Sequence, residues 1–512
     1  MDQSKQSKSV RLLNFIEEKG NRLPHPITIF MIFTLIVIAL SHVFYVMGTV
    51  VSFEGVNKET GQIETLTVKA VSLLVPEGIA YMFSNVVVNF TSFVALGPVL
   101  VAMLGVGVAE KSGYISALMT NTVTKAPKKF VTPIVVLMGV LSNVAASVGY
   151  VVLVPLGAII FLGFNRHPLA GLSAAFAGVA GGYSANLFLG TNDPLLSGIT
   201  TEASHILDVG YVVNPTDNWF FMFASTFLIV IIGTLVTDKL IEPKLGEYVP
   251  SKAVEHQNKI SHLEKKGLFW ANISILITII AIALLILPEN AILRGEGGSI
   301  IKSPFMSSII FIMMLIFLVP GVVYGFATKT VKNDKDIANL MTSSLETMSG
   351  FIVLIFFAAQ FVALFNYTNL GTIIAVKGAD FLQAIHLDGA PLLVALIFIT
   401  TIINLFIAAD SAKWAIMAPV FVPMFMQMGI APEVTQVAYR VGDSATNIIS
   451  PLMPFFPLVV AFAQRYGKEN GVGTVISLML PYSIIILISW TIFFVIWYVL
   501  GIPVGPGTNL NY

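Results

Sequence analysis

Leu141-Ser-Asn-Val-Ala-Ala-Ser147 interrupts an apolar stretch that runs from residue 131 to residue 163, and Ile407-Ala-Ala-Asp-Ser411 interrupts a second one, from residue 389 to 427. Each stretch exceeds the roughly 20 residues that a helix needs to cross a lipid bilayer. Lipid cannot satisfy the backbone groups that such a break frees, so each break must lie in the protein interior or in a wet cavity. We therefore predict that each stretch forms a re-entrant helical hairpin, which enters and leaves the membrane on the same side.

The composition of the whole chain indicates a polytopic α-helical membrane protein. Hydrophobic residues make up 56% of its 512 residues and charged residues only 11%, whereas soluble domains carry about 25% charged residues. The 28 basic and 28 acidic residues balance, so no basic excess favours binding to nucleic acid. Cysteine is absent, which excludes disulfides, thiolate metal sites, iron–sulfur clusters and cysteine nucleophiles.

Nine further apolar stretches have the length of single membrane spans. They cover residues 25–48, 86–109, 168–192, 218–238, 268–288, 304–326, 348–366, 434–463 and 474–500. With the N-terminus in the cytoplasm, 21 of the 28 lysines and arginines fall in cytoplasmic segments and 5 in outer ones, which agrees with the positive-inside rule. Counting either hairpin as one full span destroys this asymmetry. The predicted fold is all-α, with nine transmembrane helices and two re-entrant hairpins.

The two predicted hairpins open from opposite sides of the membrane, which is typical of an inverted-repeat transporter. Ser147-x-x-Tyr-x-x-x-x-Pro155 in the first hairpin has the same spacing as Ser411-x-x-Trp-x-x-x-x-Pro419 in the second, and Tyr183-Ser-Ala-Asn186 parallels Asp443-Ser-Ala-Thr-Asn447 with one gap. The predicted organisation is a cytoplasmic N-terminus (1–24), a first repeat (25–242) with hairpin 131–163, a cytoplasmic linker (243–267), a second repeat (268–500) with hairpin 389–427, and an external tail (501–512).

Charged residues inside the predicted membrane segments are functional candidates, because burying a charge there costs roughly 2.5–3.5 kcal/mol. They are Asp193, Asp410, Lys413, Arg440 and Asp443. On a helix, Asp443, Thr446 and Asn447 share one face. Their oxygen atoms lie beside a predicted break in the helix, and they suit a proton or a hard monovalent cation.

Structural interpretations of the same charged residues compete with these functional ones. Arg440 and Asp443 are three residues apart and have the spacing to neutralise each other, although the guanidinium of Arg440 also suits a substrate carboxylate. For Asp410 and Lys413 we favour a local ion pair at the tip of the second hairpin. Asp193 fits either a cap on a half-helix or a carrier site.

Uncharged polar and aromatic residues near the hairpin breaks also have two interpretations. Ser411 and Trp414 present a hydroxyl and an aromatic ring on one helix face, which suits an aromatic substrate. A tryptophan in a membrane protein is also commonly an anchor at the lipid–water interface. The amides of Asn143 and Asn404 serve either structure or ligand binding, and the sequence does not choose between the two roles.

Several classes of function have little support in the sequence. No Walker A motif occurs, so ATP is not expected as the energy source. The seven histidines are scattered, and no clustered acid–base or metal constellation indicates a membrane-embedded enzyme. A channel is the remaining alternative to a carrier, and turnover far above carrier rates would reveal it. We favour a secondary active carrier.

The chain carries specific motifs in its second half, Ala409-Asp-Ser-Ala-Lys-Trp-Ala-Ile-Met-Ala-Pro419 and Tyr439-Arg-Val-Gly-Asp-Ser-Ala-Thr-Asn-Ile-Ile-Ser-Pro-Leu-Met-Pro454. Gly190-Thr-Asn-Asp-Pro194 and the short basic N-terminus accompany them. In these features the chain resembles the AbgT family, the p-aminobenzoyl-glutamate transporters, whose relatives include sulfonamide-exporting antimetabolite pumps. The resemblance extends over essentially the whole chain.

The resemblance implies a homodimer in the bacterial inner membrane, with nine spans and two hairpins in each multi-pass protomer. It also implies transport driven by a proton or by Na⁺, with no other cofactor. The family's functional positions fall here on Asp193, Ser411, Trp414, Pro432, Arg440, Asp443 and Pro451. Its suggested sodium ligands fall on Asn404, Asp443 and Asn447.

The leading hypothesis is a carrier that moves p-aminobenzoyl-glutamate, or related aminobenzoyl and sulfonamide compounds, by cation-coupled alternating access. In this hypothesis Arg440 clamps a substrate carboxylate, Trp414 stacks on the ring, and Ser411 with Asn404 bonds the amide. The alternative is a di- or tricarboxylate:cation symporter of similar hairpin architecture. In that case Trp414 would have little to stack upon.

Overall fold

A computed structural model of the chain describes residue 24 and residues 26–56, 63–94, 96–125, 127–145, 149–248, 260–288, 290–300, 303–346, 348–407, 409–450 and 453–512. The predicted N-terminal segment 1–24 lies almost wholly outside these residues. Ser147 of the first hairpin motif and Pro451, a predicted substrate-binding residue, also lie outside them.

The first half of the described chain is helical apart from one pair of strands. Its helices are α1 (Pro26–Val46), α2 (Pro76–Ser84), α3 (Val86–Thr91), α4 (Leu96–Lys111), α5 (Tyr114–Thr124), α6 (Val131–Ser142), α7 (Val154–Gly163), α8 (Pro168–Phe176), α9 (Asn192–Ser204), α10 (Trp219–Val236) and α11 (Glu242–Leu245). Between α1 and α2, β1 (Val50–Val56) pairs antiparallel with β2 (Ile63–Lys69), with Val50 opposite Lys69. We did not predict this strand pair.

The second half of the described chain continues the helical pattern. Its helices are α12 (His262–Leu284), α13 (Pro304–Ser307), α14 (Ile309–Thr328), α15 (Asp334–Glu346), α16 (Ser349–Tyr367), α17 (Leu370–Ala384), α18 (Gly389–Asn404), α19 (Asp410–Gln427), α20 (Pro432–Asn447), α21 (Phe456–Gln464) and α22 (Val472–Val499). A capping box explains where α12 begins: the Ser261 hydroxyl accepts from the Glu264 N–H, and the Glu264 carboxylate accepts from the Ser261 N–H.

Both interrupted apolar stretches are broken where the polar residues predict. In the first stretch, α6 ends at Ser142 and a 3-10 turn follows, Asn143–Ala145. The chain then resumes with a π-helical turn, Gly149–Leu153, that leads into α7. In the second stretch, α18 ends at Asn404 and α19 begins at Asp410. An acidic residue in the first turn favours the helix N-terminus electrostatically. The prediction that neither stretch is one continuous helix is confirmed.

In the described part of the chain, six helical segments are long and apolar enough to cross a membrane, or eight if each of two bent pairs forms one span. The six are Ile27–Val46, Trp219–Leu245, His262–Leu284, Ile309–Thr328, Ser349–Tyr367 and Val472–Val499. Four predicted spans contain breaks: 86–109 between α3 and α4, 168–192 after residue 181, 304–326 between α13 and α14, and 434–463 between α20 and α21. The count of nine spans and two hairpins stays a prediction.

Helix α20 forms the centre of the fold. It packs against α18, α19, α9 and α22 and against the π-helical turn Ala177–Gly181, so it contacts both arms of the second interrupted stretch and two helical segments of the first half. Elsewhere, α14 packs between α4 and α12, and α16 packs on α1. The approach of α4 to α14 requires a glycine, because a Cβ on Gly105 would lie 2.2 Å from the carbonyl oxygen of Met314.

Candidate functional site

Helix α20 brings the polar residues of the second half into the interior. All 16 of its residues, from Pro432 to Asn447, are buried. Gly442 lets it approach α18 closely, because a Cβ on that residue would lie 2.4 Å from the carbonyl oxygen of Ile397. Burying charged and amide side chains is unfavourable unless they are paired. The contacts that pair them therefore define the candidate site.

The guanidinium of Arg440 forms a buried ion pair with Asp193, from the first turn of α9. Arg440 Nη2 lies 2.7 Å from Asp193 Oδ1, and only 3% and 9% of the two side chains are exposed. The same nitrogen donates to the carbonyl of Ser184 at 3.3 Å. The other carboxylate oxygen of Asp193 accepts from the Gly190 N–H at 2.6 Å. The predicted alternative in which Arg440 and Asp443 neutralise each other is wrong, because the carboxylate that pairs with Arg440 is Asp193.

The ammonium of Lys413 is a second buried cation. It contacts the carboxylate of Asp443 and donates to the side-chain oxygen of Asn404. Neither Lys413 nor Asp443 exposes more than 2% of its side chain. The amide nitrogen of Asn404 donates to the Asp443 carbonyl at 2.6 Å, and to Thr446 Oγ1 and Asn447 Oδ1 at 2.9 Å each. The structure thus brings together the residues that the resemblance assigns to cation binding.

Asp410 has different partners from those we predicted. Its carboxylate accepts from the Tyr183 hydroxyl at 3.1 Å, and its backbone carbonyl accepts from the Tyr439 hydroxyl at 2.6 Å. The predicted Asp410–Lys413 ion pair is wrong, because Lys413 turns into the interior towards the more deeply buried Asp443. Asp410 stays partly exposed at the start of α19.

The indole of Trp414 is packed in the interior. It has no exposed surface, and its ring centroid lies 4.3 Å from that of Tyr439, with 28° between the ring planes. Its Nε1 atom donates to Thr200 Oγ1 at 2.9 Å. These contacts rule out the interface-anchor interpretation. They also mean that a second aromatic ring reaches Trp414 only after the surrounding helices move.

A chain of hydrogen bonds connects Trp414 with Arg440. Thr200 accepts from Trp414 and donates to Gln436 Oε1 at 2.6 Å. Gln436 Nε2 donates to Asn218 Oδ1 at 2.8 Å, and Arg440 Nη1 donates to the same oxygen at 3.5 Å. We did not predict Thr200, Gln436 or Asn218 as site residues. Gln436 had a usable signal, since it lies one helical turn before Arg440, on the same face of α20.

The other predicted residues lie at the ends of these helices. Ser411 is half-buried in the first turn of α19, three residues before Trp414. Pro432 is the buried first residue of α20, and Asn447 is the last. Pro451 lies outside the described residues.

The oxygen atoms around Lys413 suit a monovalent cation. Its ammonium faces the Asp443 carboxylate and the Asn404 side-chain oxygen, and the Ile407 carbonyl lies 3.4 Å from its Nζ atom. Carboxylate, amide and backbone oxygens are the ligands of hard cations. The donor set therefore fits Na⁺ chemically, and in this structure the positive charge in contact with it belongs to Lys413.

Comparisons with known proteins agree with this architecture. The model of the AbgT putative transporter family matches residues 11–512. The chain is 39% identical over 502 residues to the p-aminobenzoyl-glutamate transport protein of Escherichia coli (strain K12), an alignment that covers 98% of this chain and 97% of that protein.

Two solved structures share the fold. The YdaH transporter of Alcanivorax borkumensis superposes with a TM-score of 0.88 at 42% identity, over 94% of this chain and all of that one. MtrF of Neisseria gonorrhoeae, described among a class of antimetabolite efflux pumps, gives a TM-score of 0.91 at 50% identity, over 97% of this chain and all of that one. The chain described here is a multi-pass membrane protein and belongs to the AbgT transporter family.

Proposed function

We propose that this protein is a secondary active transporter for p-aminobenzoyl-glutamate or related aminobenzoyl compounds, including sulfonamide antimetabolites. The observation that carries the proposal is the hydrogen-bonded chain from Arg440 to Trp414, through Asn218, Gln436 and Thr200. It joins a ligand for carboxylates to an aromatic surface inside the protein. p-Aminobenzoyl-glutamate carries two carboxylates and one aromatic ring. A carboxylate could bind Arg440 at one end of these hydrogen bonds, and the ring could stack on Trp414 at the other.

Arg440 is the proposed carboxylate ligand. Its guanidinium binds carboxylates through two parallel N–H groups, and here it is held by Asp193 on the other half of the chain. A substrate carboxylate that competes for Arg440 would loosen the Arg440–Asp193 contact. Asp193 also binds the Gly190 N–H through its second oxygen, so that competition would reach the segment before α9.

Trp414 and Ser411 are the proposed contacts for the aminobenzoyl part. Both lie in the first turns of α19, directly after the break in the second interrupted stretch. Movement of this tip would free one face of the indole for stacking and would bring the Ser411 hydroxyl, with Asn404, to the substrate amide. Pro432, the buried first residue of α20, and Pro451 are the remaining proposed substrate-binding residues.

Asp443 is the proposed coupling residue, together with Asn404 and Asn447. Its buried carboxylate pairs with Lys413, and Lys413 directly precedes Trp414 in α19. A proton or Na⁺ that competes for Asp443 would weaken this pair and release the tip that carries Trp414. Cation occupancy and access of the substrate to the indole would then change together, as alternating access requires.

The names of two relatives support the substrate class. The Escherichia coli relative is named for p-aminobenzoyl-glutamate transport, and MtrF is described with antimetabolite efflux pumps. We also propose that the protein is a homodimer in the bacterial inner membrane with a cytoplasmic N-terminus. Native mass spectrometry from detergent micelles should detect two copies, and a purely monomeric spectrum would contradict this.

Uptake of labelled p-aminobenzoyl-glutamate into proteoliposomes tests the proposed function. Proton and Na⁺ gradients are imposed separately, and we expect accumulation with at least one of them. Unlabelled sulfonamide should compete, whereas succinate and citrate should not. Competition by succinate and citrate alone would favour the di- or tricarboxylate symporter instead, and absence of gradient-driven uptake would refute a coupled carrier.

A further inference from the structure

The two halves of the protein repeat one side-chain contact. Asn143, at the end of α6, donates through Nδ2 to the carbonyl of Gly182 at 3.3 Å. Asn404, at the end of α18, donates in the same way to the carbonyl of Asp443 at 2.6 Å. In both cases the acceptor follows the asparagine by 39 residues. The contact therefore relates the first break of the chain to the second.

The Ser-x-x-aromatic motifs also relate the two breaks, in an alignment shifted by three residues from that of the asparagines. Tyr150 packs edge-on against Phe176, with 6.3 Å between ring centroids, and Trp414 stacks on Tyr439. Tyr150 and Trp414 occupy equivalent places in the Ser-x-x-aromatic motifs. In the alignment of these motifs Lys413 corresponds to Gly149, and in the alignment of the asparagines it corresponds to Val152, so neither alignment places a charged side chain there.

The environments of the two asparagine oxygens differ. Asn404 Oδ1 accepts from Lys413. Gly149 supplies no such cation, and a Cβ at that position would lie 2.0 Å from Ser142 Oγ, so a longer side chain does not fit. Among the described residues, buried Asn143 Oδ1 has no hydrogen-bond partner. The bond from its Nδ2 atom to Gly182 fixes which end of the amide is the oxygen.

A second unpartnered amide oxygen lies nearby. Asn186 follows Asn143 by the same number of residues as Asn447 follows Asn404. It is 7% exposed, and its Oδ1 atom is also buried without a partner in the described part of the chain. The Asn186 amide nitrogen and the Asn143 backbone oxygen lie 3.7 and 3.2 Å from the position that a Cβ of Gly190 would take. The Asn143 backbone and the Asn186 amide group thus both lie next to Gly190, which has no side chain.

Two buried amide oxygens without donors form an environment for a positive charge. Oxygen atoms of amides and backbone carbonyls are ligands for hard cations, and the C-terminus of α6 adds the negative end of a helix dipole. The described residues contain no cluster of three or more His, Asp or Glu side chains placed to hold a metal ion. The neutral oxygens at this position suit a monovalent ion rather than a divalent one.

We propose that Asn143 and Asn186 bind a monovalent cation, Na⁺, at the position in the first half that corresponds to the one Lys413 fills in the second. This site lies apart from the coupling position proposed at Asp443. In the second half the positive charge is the ammonium group of Lys413. In the first half it is a Na⁺ ion from solution. The proposal concerns ion binding alone, so it does not depend on which organic substrate is carried.

Binding of Na⁺ to the purified full-length protein in detergent tests this site. Thermal unfolding is recorded as NaCl replaces choline chloride at constant ionic strength, and isothermal titration calorimetry gives the stoichiometry. We expect saturable stabilisation of the wild-type protein, which Asn143→Ala and Asn186→Ala should each weaken, lowering the calorimetric stoichiometry by one Na⁺. Asn89→Ala is the matched control, because Asn89 bonds Gln360 elsewhere in the protein and should leave the response unchanged.

A variant that should bind Na⁺ more tightly provides a second test, which does not depend on the loss of Na⁺ binding. Asn186→Asp keeps the shape of the side chain and adds a negative charge, so Na⁺ should bind roughly tenfold more tightly. No Na⁺ response in the wild-type protein, or a response that all three site variants share with it, would overturn the proposal.

Lys413→Gln tests the correspondence between the halves. Removing the Lys413 ammonium leaves the Asp443 and Asn404 oxygens without their competitor, so Na⁺ should bind there more tightly than in the wild-type protein, in addition to the ion at Asn143 and Asn186. Unchanged Na⁺ binding would show that the two positions are not equivalent. These measurements need no transport, so failed uptake with intact Na⁺ binding would refute the proposed function and leave this site in place.

Discussion

Arg440 and Lys413 each carry a buried positive charge that one carboxylate holds, and in both cases the carboxylate is remote in sequence. Asp193 precedes Arg440 by 247 residues, and Asp443 follows Lys413 by 30. Removing one partner of such a pair leaves an uncompensated buried charge, which costs about 3–5 kcal/mol. The pairs are therefore sensitive points, where a competing ligand or ion has a large effect on the conformation.

Arg440→Lys tests the proposed carboxylate clamp at the residue scale. Lysine keeps the charge but loses the two parallel N–H groups, so we expect p-aminobenzoyl-glutamate to bind at least about tenfold more weakly by calorimetry. Arg166→Lys is the matched control. Arg166 also pairs with carboxylates, Asp238 and Glu242, but outside the site, so its substitution should leave affinity unchanged. Equal affinity for the Arg440→Lys and wild-type proteins would contradict the clamp.

Asp443→Asn tests the coupling residue. The variant leaves the Lys413 ammonium buried without its carboxylate, so the thermal stability of the protein should fall by an amount equivalent to about 3–5 kcal/mol. The double variant Lys413→Met, Asp443→Asn removes both charges and should recover most of the loss. Neither protein should show gradient-driven uptake in proteoliposomes, although both should insert into membranes. Robust gradient-driven flux through either variant would rule out Asp443 as the coupling residue.

At the element scale, the backbones of helices α18 and α20 approach each other closely at Gly442. Gly442 lies against the carbonyl of Ile397 and 2.9 Å, measured from the Cβ position, from Thr400 Cβ. This approach allows Asn404 to reach the Asp443 carbonyl and Asn447. The hydrogen bonds of Asn404 to Asp443 and Asn447, which we call the amide cluster, therefore depend on the absence of a side chain at Gly442.

Gly442→Ala should separate the two helices and disrupt the amide cluster. We expect a loss of stability of about 1–3 kcal/mol from overpacking, together with loss of transport. Gly350→Ala is the control, because Gly350 lies in α16 with no neighbouring atom within 4 Å of its Cβ position. Thermal unfolding and uptake of both variants provide the measurement. Wild-type stability and uptake in Gly442→Ala would show that α18 and α20 tolerate a wider separation.

At the scale of the whole molecule, the two halves of the chain meet in one interior region. Segments from the first half, around Tyr183 and Asp193, contact Asp410 and Arg440 from the second. The prediction that both stretches are re-entrant places both flanks of the first stretch on the cytoplasmic side and both flanks of the second on the outer side. That arrangement would let two halves rock about a common centre, as inverted repeats do.

Cysteine accessibility tests this arrangement directly, because the natural chain has no cysteine. We expect a membrane-impermeant maleimide to label Asp388→Cys and Gln427→Cys from outside in intact cells. Lys129→Cys and Asn165→Cys should react only after the cells are opened. Labelling of the two flanks of either stretch from opposite sides would show an ordinary span and would remove the basis for the alternating-access proposal.

Sequence reasoning recovers much of the fold because breaks in apolar stretches have a local cause. Small and polar residues at mid-stretch are enough to locate the ends of α6 and α18. The ion pairs are different, because pairing depends on which helices meet. Arg440 and Asp443 have a suitable spacing on one helix, yet Arg440 pairs with Asp193 on α9. Thr200 and Asn218 carry no local signal and enter the site only through packing.

Because Trp414 is stacked on Tyr439 in the interior, its intrinsic fluorescence can report on opening of the site. The chain has five tryptophans, so replacing Trp219, Trp270, Trp490 and Trp497 by phenylalanine would leave Trp414 as the single emitter, beside the tip that we propose to move. Its fluorescence should be blue-shifted while the indole is enclosed, and it should shift to the red when ligand admits water. A stopped-flow instrument would then time the opening step without any attached dye.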